Sequence, residues 1–297
     1  MRPSLAVALI AACLSPGYSR AQPAELVGTL TLDGAAPDIG GLSGLELSED
    51  GSGITALSDR AILFRGQIRR EDGRPVAVTF EAPQPLASRR NGPLVFPLSD
   101  SEGLAVAPDG GLYVSFERIH RVTHYQRADG PGAPMPPPAQ FGRFRWNGGM
   151  EALAIDANGA LFALPEGGSQ DRSLPVWRFA AGYWNQAFSL PKRDSFLPVG
   201  ADFGPDGLFY LLERDYSVAG FRSRVRRFDL RGTEVAGEVT LLETASGTHD
   251  NLEGIAVWRD AAGAIRLTLV SDDNFWFFLA SELVEYVLPL APERQTD

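Results

Sequence analysis

Two glutamates mark the ends of the stretch DSEGLAVAPDGGLYVSFER, residues 100–118: Glu102 near its start and Glu117 near its end. The residues between them predict two short strands joined by a PDG turn. In an antiparallel hairpin, the first residue of one strand and the last residue of the other lie at the same end. The two carboxylates should therefore meet at one end of the hairpin, where paired acids can move protons or hold a cation.

The same hairpin pattern recurs along the chain. Its five copies cover residues 43–60, 102–118, 151–167, 199–214 and 253–273. The first position of each copy is occupied in turn by Ser43, Glu102, Glu151, Val199 and Glu253. The second position is an acid in every copy: Asp59, Glu117, Glu166, Glu213 and Asp272.

Repeats of roughly 50 residues, each with room for four short strands, predict the blades of a β-propeller. We expect an all-β fold with about five four-stranded blades, or six if the first blade hides a degenerate neighbour; a solenoid is the competing geometry. ELVGTLTLD (25–33) should pair with ELVEYVLPL (282–290). This pairing of the N- and C-terminal strands would close the ring and cover two sheet edges.

The inner strand of each blade runs along the central channel, so the repeated acids should converge on one mouth of it. Crowded carboxylates repel one another and stay ionised at neutral pH only where a positive charge compensates. Arg60, Arg118 and Arg214 directly follow the second-position acid in three copies and could supply that charge; a divalent cation is the other solution. Ca²⁺ suits a flexible cage of oxygen ligands. We predict a Ca²⁺ site with these ligands: Glu102, Glu151, Glu253 and Asp272. The alternative is that the acids were copied with the repeats and face water.

Three further features lie near these positions. Glu46 and Asp202 belong to the two repeats that lack a first-position glutamate. Because they lie three residues further along the strand, they occupy its opposite face and do not substitute for that glutamate. NFWFF (274–278) is interpreted as core packing beneath the mouth, with a substrate-facing wall as the alternative. His249, four residues before Glu253, is a candidate proton carrier, with a solvated loop histidine as the alternative.

Composition and the N-terminus limit the function classes. Residues 1–21, MRPSLAVALIAACLSPGYSRA, have a positive start, an apolar core and small residues near the end, which predicts an export signal and a periplasmic or secreted protein. A lipoprotein anchored at Cys13 is the alternative. Residues 22–297 form the single predicted domain, with 25 basic against 37 acidic residues and a net charge of −12. Such a chain should not bind nucleic acid. We expect a monomer without a membrane-spanning segment.

Several motifs together resemble a known family. They are DSEGLAV followed by YVSFER, then ADFGPDGLFYLLERD, then NLEGIAV followed by LVSDDNF. In this order they resemble the phytase-like β-propellers, often labelled "esterase-like activity of phytase", over essentially the whole chain after residue 21. The resemblance implies an exported propeller that hydrolyses phosphoesters or carboxyesters at an acidic, calcium-loaded channel mouth.

The leading hypothesis is therefore a metal-dependent hydrolase of a small phosphoester or carboxyester. The predicted proton-transferring residues are Glu117, Glu213 and His249. The predicted substrate contacts are Arg60, Arg118, Arg214, Asp59 and Glu166. Two alternatives stay open, because the fold alone does not choose a function: a gluconolactonase-like lactonase, and a non-catalytic binding or scaffold propeller whose channel ion is structural.

Overall fold

The computed structural model describes residues 23–138, 140–143, 148–167, 172–232, 234–276 and 279–290. These residues form five antiparallel sheets, which are the five blades of a propeller. Blade one comprises β2 (Leu42–Leu47), β3 (Gly53–Ser58), β4 (Ile62–Glu71) and β5 (Arg74–Phe80), with the short β6 (Gln84–Pro85) beside β4. Blade two comprises β7 (Ser101–Val106), β8 (Leu112–Phe116), β9 (Arg121–Tyr125) and β10 (Ala133–Pro134).

The other three blades follow in chain order. A single 3₁₀ turn (Phe141–Arg143) precedes blade three, which comprises β11 (Met150–Ile155), β12 (Leu161–Pro165), β13 (Ser173–Ala180) and β14 (Tyr183–Pro191). Blade four comprises β15 (Leu197–Phe203), β16 (Phe209–Ser217), β17 (Gly220–Arg231) and β18 (Glu234–Glu243). Blade five comprises β19 (Asn251–Arg259), β20 (Ile265–Asp272), β21 (Glu282–Val287) and, from the start of the chain, β1 (Glu25–Thr31).

This architecture confirms the predicted propeller and fixes the number of blades at five. The predicted ring closure is also confirmed, because β1 pairs antiparallel with β21 from Glu25 opposite Val287 to Thr31 opposite Glu282. The inner strands β2, β7, β11, β15 and β19 contact one another in a closed cycle around the axis.

The turn predicted inside each repeat has one hydrogen-bond pattern in blades two to five. In blade two, the Gly110 N–H donates to the Ala107 carbonyl at 2.8 Å and the Ala107 N–H donates to the Gly111 carbonyl at 2.8 Å. Blades three to five repeat this pair, whereas the turn of blade one is one residue longer, because the Ser48 N–H donates to the Gly53 carbonyl at 3.0 Å. The turn needs a left-handed backbone at the residue corresponding to Gly110 (φ 84°), which glycine adopts without a steric penalty.

The core is divided among the spaces between blades. Five apolar clusters are present, and each joins the side chains of two neighbouring blades around the ring. Among the described residues, no helix has the length and apolarity that crossing a membrane requires. The predicted export signal, residues 1–21, lies outside the described residues.

Candidate functional site: an acidic mouth of the channel

A β-bulge occurs at the first repeat position in every blade. The pairing of the inner strand with its neighbour shifts register around Ser43, Glu102, Glu151, Val199 and Glu253. A bulged residue is unpaired in the ladder, and the local bend can re-aim its side chain. The bulge thus provides the local reason why three glutamates at this position lie near one another.

We call this end of the channel the acidic mouth. It comprises Asp59, Asp100, Glu102, Glu117, Glu151, Glu166, Glu253 and Asp272, with Arg118 and Arg214 among them. Carboxylate oxygens of Asp100, Glu102 and Glu117 lie within 4.8 Å of one another, a grouping that a metal ion could occupy. Burial holds the pKa of Glu102 well above its ordinary value, and the neighbouring charges of Glu151 and Glu253 raise it further.

Glu151, like Glu102, accepts no hydrogen bond and forms no ion pair among the described residues of this mouth. Its side chain is buried (9% exposed), and no hydrogen bond to it is present among the described residues. Burial raises its pKa well above the ordinary value, and the charges of Glu166 and Glu117 add to the effect. A buried acid without a donor is expensive to ionise, so this position favours either a proton or an added cation.

Arg214 neutralises the other side of the mouth. Its guanidinium forms an ion pair with Glu253 and lies 3.3 Å from Glu166, while Nη1 donates to Asn251 Oδ1 at 2.8 Å. The Asn251 amide in turn donates to Glu253 at 2.8 Å. Glu253 is therefore held by a protein cation, whereas Glu102 and Glu151 lie next to it without one.

Asp59 and Asp272 lie together between blades one and five. Burial, followed by their neighbouring acidic charges, raises the pKa of each to about 7. The Asn274 N–H donates to Asp272 Oδ1 at 2.6 Å, and Asn251 donates to Oδ2 at 3.4 Å. Both second-position acids thus reach the mouth, but the two oxygens of Asp272 already accept hydrogen bonds.

Two predicted substrate-binding arginines are placed against aromatic rings at the rim. Arg118, in a left-handed backbone conformation (φ 47°), donates from Nε to Asp100 at 2.6 Å and lies 6.0 Å from the Phe96 ring centroid. Arg60 stacks 3.3 Å above the Phe275 ring. Phe275 is 38% exposed and Trp276 is 52% exposed. These two residues of NFWFF therefore do not belong to the core, which corrects the prediction of core packing for them. Phe277 and Phe278 lie outside the described residues.

The structure does not bring Glu213 to the acidic mouth, although its repeat position matches that of Glu117. Its carboxylate is fully buried and accepts hydrogen bonds from Arg224 Nε at 2.9 Å and Arg226 Nε at 2.6 Å. Both arginines belong to β17 of the same blade. These donors occupy the carboxylate, which corrects the expectation that Glu213 is available as a proton acceptor.

His249 packs edge-on against a tyrosine ring, with 5.9 Å between the ring centroids. Its Nε2 lies 2.6 Å from the Tyr286 hydroxyl, and Tyr286 belongs to the apolar cluster between blades four and five. Burial lowers the pKa of His249, which favours the neutral imidazole. This hydrogen bond occupies Nε2, one of the two ring nitrogens, so the role of His249 as a proton carrier stays a prediction.

Sequence reasoning missed two polar members of the mouth. Asp100 stands directly before the inner strand of blade two, and Asn251 begins that of blade five. The sequence signal that could have identified them is their spacing, because each lies two residues before a first-position glutamate. The aromatic rim had no repeat signal, because Phe96 and Phe275 lie in loops between the repeats.

One solved structure superimposes on this chain with a TM-score above 0.5 and agrees with the propeller fold. An α-L-arabinofuranosidase from Podospora anserina, solved with cellotriose, superimposes with a TM-score of 0.51 at 14% identity, covering 90% of this chain and 96% of the other. An aldose sugar dehydrogenase from Streptomyces coelicolor, in its PQQ-bound form, gives a TM-score of 0.46 at 14% identity over 88% of this chain and 98% of the other. At such identities the likeness concerns the fold alone. No curated protein sequence matches the chain.

Family membership follows from the sequence match. The model of the phytase-like family, described as "Esterase-like activity of phytase", matches residues 37–275, from the loop before the first inner strand to the loop after β20. The match spans all five inner strands and every acid of the mouth. The chain therefore belongs to the phytase-like family.

Proposed function

We propose that this protein is a metal-dependent hydrolase that cleaves an ester bond of a small molecule at the acidic mouth. The observation that carries the proposal is the grouping of the Asp100, Glu102 and Glu117 oxygens within 4.8 Å, next to the unpartnered Glu151. The family description, which names an esterase-like activity, supports the same reaction class. We also propose that the protein acts outside the cytoplasm, as residues 1–21 predict.

The donor set fits a hard divalent cation. All the candidate ligands are carboxylates, which suit Ca²⁺, and histidine and cysteine ligands are absent from the described grouping. Asp100, Glu102 and Glu117 would hold the ion, with Glu151, Glu253 and Asp272 as the further acids predicted from the sequence. The orphaned carboxylate of Glu151 supports this fit, because a nearby cation would lower the cost of its ionisation.

Each residue has a distinct role in the proposed reaction. When bound, the ion would polarise the ester and increase the acidity of water. Glu151 would accept the proton of the attacking water, because burial raises its pKa and so makes its carboxylate a stronger base. As the ester C–O bond breaks, the same proton would pass to the leaving oxygen. Arg214 would favour the ionised forms of Glu253 and Glu166 against the burial that raises the pKa of each.

The geometry favours a carboxyester over a phosphoester. Arg118 and Arg214 are engaged by acids of the mouth, so neither offers an open guanidinium fork to a phosphate group. Arg60 forms no ion pair among the described residues but stacks on Phe275. An acidic mouth with a partly apolar rim is better suited to a neutral ester that carries an apolar group.

A thermal-melting experiment tests for the metal site. The purified protein is melted with EDTA and then with Ca²⁺ in excess, and we expect Ca²⁺ to raise Tm, because a ligand that binds only the folded state stabilises it. Glu102→Gln should abolish the shift, whereas the control Glu81→Gln, an exposed acid beyond β5, should retain it. An unchanged wild-type Tm would exclude the metal site.

Turnover then tests the reaction class. p-Nitrophenyl acetate, p-nitrophenyl phosphate and a sugar lactone are assayed with Ca²⁺ and with EDTA. We expect Ca²⁺-dependent cleavage of the acetate that is lost in Glu151→Gln. Preferred cleavage of the lactone would favour the lactonase instead. If Ca²⁺ raises Tm but none of the three substrates is cleaved, the result would favour a non-catalytic scaffold propeller with a structural ion.

A further inference from the structure

A large cavity lies at the other end of the channel, which we call the opposite mouth. It has a volume of about 1050 Å³, near the upper end of the range for small-molecule sites. All five blades contribute to its lining. Its apolar walls include Phe162, Phe188 and Phe203 of blades three and four. Neither the family description nor the reaction proposed above uses this cavity.

The two mouths are separated by close packing of the inner strands. Each bulged residue is followed by a small one: Gly44, Gly103, Ala152, Gly200 and Gly254. At Gly103, an added Cβ would lie only 2.7 Å from the Glu151 carbonyl oxygen of the next blade. The space that remains at this level is about 10 Å³, too small for an organic molecule. A ligand of the opposite mouth would therefore not be a ligand of the acidic mouth.

Four carboxyl groups line the opposite mouth, and two of them, Glu46 and Asp202, share one repeat position on the inner strands. The position three residues after each bulge is occupied by Glu46, Ala105, Ala154, Asp202 and Ala256. Acids occur here only in blades one and four, the two blades without a first-position glutamate. The charge of Asp202 raises the pKa of Glu46 further, after burial, so the two carboxyl groups interact.

Backbone donors hold both groups in place. Glu46 Oε1 accepts from the Val106 N–H at 3.0 Å, and Asp202 accepts from the Val257 N–H at 2.6 Å and the Phe203 N–H at 2.7 Å. Each acid thus binds the inner strand of the next blade. Both oxygens of Asp202 are occupied, which leaves too few free oxygens for the six to eight ligands of Ca²⁺. An ammonium group, with only three donors, needs fewer acceptors.

We propose that the opposite mouth binds a small organic amine, with its ammonium group between Glu46 and Asp202 and its apolar part against Phe162 and Phe203. Neither acid forms an ion pair among the described residues, although Arg178 and Arg259 also line the cavity, so an ammonium group would compensate for the two interacting acids. The aromatic walls contribute apolar contact and can attract the cation. The site is independent of the proposed hydrolase reaction.

Titration calorimetry at pH 8 with 2-phenylethylamine tests the proposal on the whole protein. 2-Phenylethanol, which lacks the charge, serves as the matched ligand control. We expect saturable binding of the amine and none of the alcohol at the same concentrations. Equal binding of both ligands would overturn the proposal. So would the absence of amine binding up to about 10 mM, because a dissociation constant above that concentration is weaker than specific binding typically gives.

Three variants locate the site, with circular dichroism to verify the fold. Glu46→Gln keeps an acceptor for Val106 and should weaken amine binding at least about tenfold, as loss of one partner of a buried charge pair does. Arg178→Gln removes a positive charge from the lining and should strengthen binding about twofold. Glu102→Gln, in the acidic mouth, should leave binding unchanged. Weaker binding in Arg178→Gln, or full binding in Glu46→Gln, would contradict the assignment.

Discussion

Glu213 and Glu117 occupy the same repeat position in different environments. Glu117 lies in the acidic mouth, where Gly149 N–H donates to it at 3.3 Å and Arg118 Nε lies 3.4 Å away. Glu213 lies fully buried between two arginines. The difference comes from β17, whose Arg224 and Arg226 have no counterpart of this kind in blade two. A repeated acid therefore acquires its role from the strand beside it.

Glu213→Gln should destabilise the fold, because it leaves two buried guanidinium groups without their shared counter-charge. Breaking a buried ion pair from one side typically costs about 3–5 kcal/mol. Denaturant unfolding should report the loss as a lower midpoint. Glu234→Gln, an exposed acid of the same blade, is the matched control and should change little. Wild-type stability combined with loss of ester cleavage would instead restore the catalytic role predicted from the sequence.

The pair formed by Glu46 and Asp202 should make stability depend on pH. Burial raises the pKa of Asp202 to about 7 and that of Glu46 well above its ordinary value. The folded state therefore binds protons that the unfolded chain has already released, and stability should fall as pH rises from about 4 to 7. The other charged residues lining the cavity are Glu49, Asp156, Arg178 and Arg259.

Glu46→Gln removes one of the two charges and should flatten this pH dependence. At pH 8 we expect the free energy of unfolding of the variant to be higher than that of the wild type by about 1 kcal/mol, which corresponds to less than one unit of pKa shift. At pH 4 the two proteins should have equal free energies of unfolding. Urea unfolding at both pH values measures the difference. An advantage of equal size at pH 4 and pH 8 would assign the effect to packing, not to charge.

At the scale of single residues, the sequence predicted that Arg214 could compensate an acid of the mouth, but not which acid it contacts. The positions of Glu102, Glu151 and Glu253 follow from strand periodicity and turn length, which are local. The pairing of Arg214 with Glu253, and of His249 with Tyr286, joins residues 39 and 37 positions apart in the chain. These contacts depend on how blades pack, and no spacing in the sequence encodes that packing.

At the scale of elements, the bulge and the small residue after it form one device. The bulge turns the first-position side chain towards the mouth, and the following glycine lets neighbouring inner strands approach. Gly200 is the sharpest case, because an added Cβ would overlap the Glu253 carbonyl oxygen of blade five. In the sequence, the first-position residue and the small residue after it appear as the recurring pairs SG, EG, EA, VG and EG. The alternation of apolar and polar residues alone does not distinguish a bulged strand from a regular one.

Gly200→Ala should therefore destabilise the protein and disturb the acidic mouth together. Overpacking against backbone atoms costs roughly 1–3 kcal/mol. Because Glu253 would be displaced, we also expect a smaller Tm increase with Ca²⁺. Gly237→Ala on the outer strand of the same blade is the control, since its Cβ would meet Asp229 at an ordinary 3.7 Å. Unchanged stability of Gly200→Ala would show that the inner strands have room to separate.

At the scale of the whole molecule, a single β-strand from the start of the chain closes the ring by hydrogen-bonding to the last blade. β1 covers the β21 edge of blade five, and the Ala24 N–H donates to the Leu241 carbonyl of blade four. The closure was predictable because the last repeat lacked an outer strand and the first strand lacked a blade. Without β1, the backbone groups of β21 would form an exposed sheet edge, which favours pairing with another chain.

A chain that begins at Leu32 tests this closure against one that begins at Pro23. The shorter chain keeps Leu32, which is buried between blades one and five, and Asp33, which accepts from the Ser281 N–H, so it loses little besides β1. We expect a lower Tm and self-association through the β21 edge, measured by light scattering. A synthetic peptide of residues 23–31 should reverse both effects by filling the edge. If the shorter chain melts like the longer one and stays monomeric, packing between the blades holds the ring closed without β1.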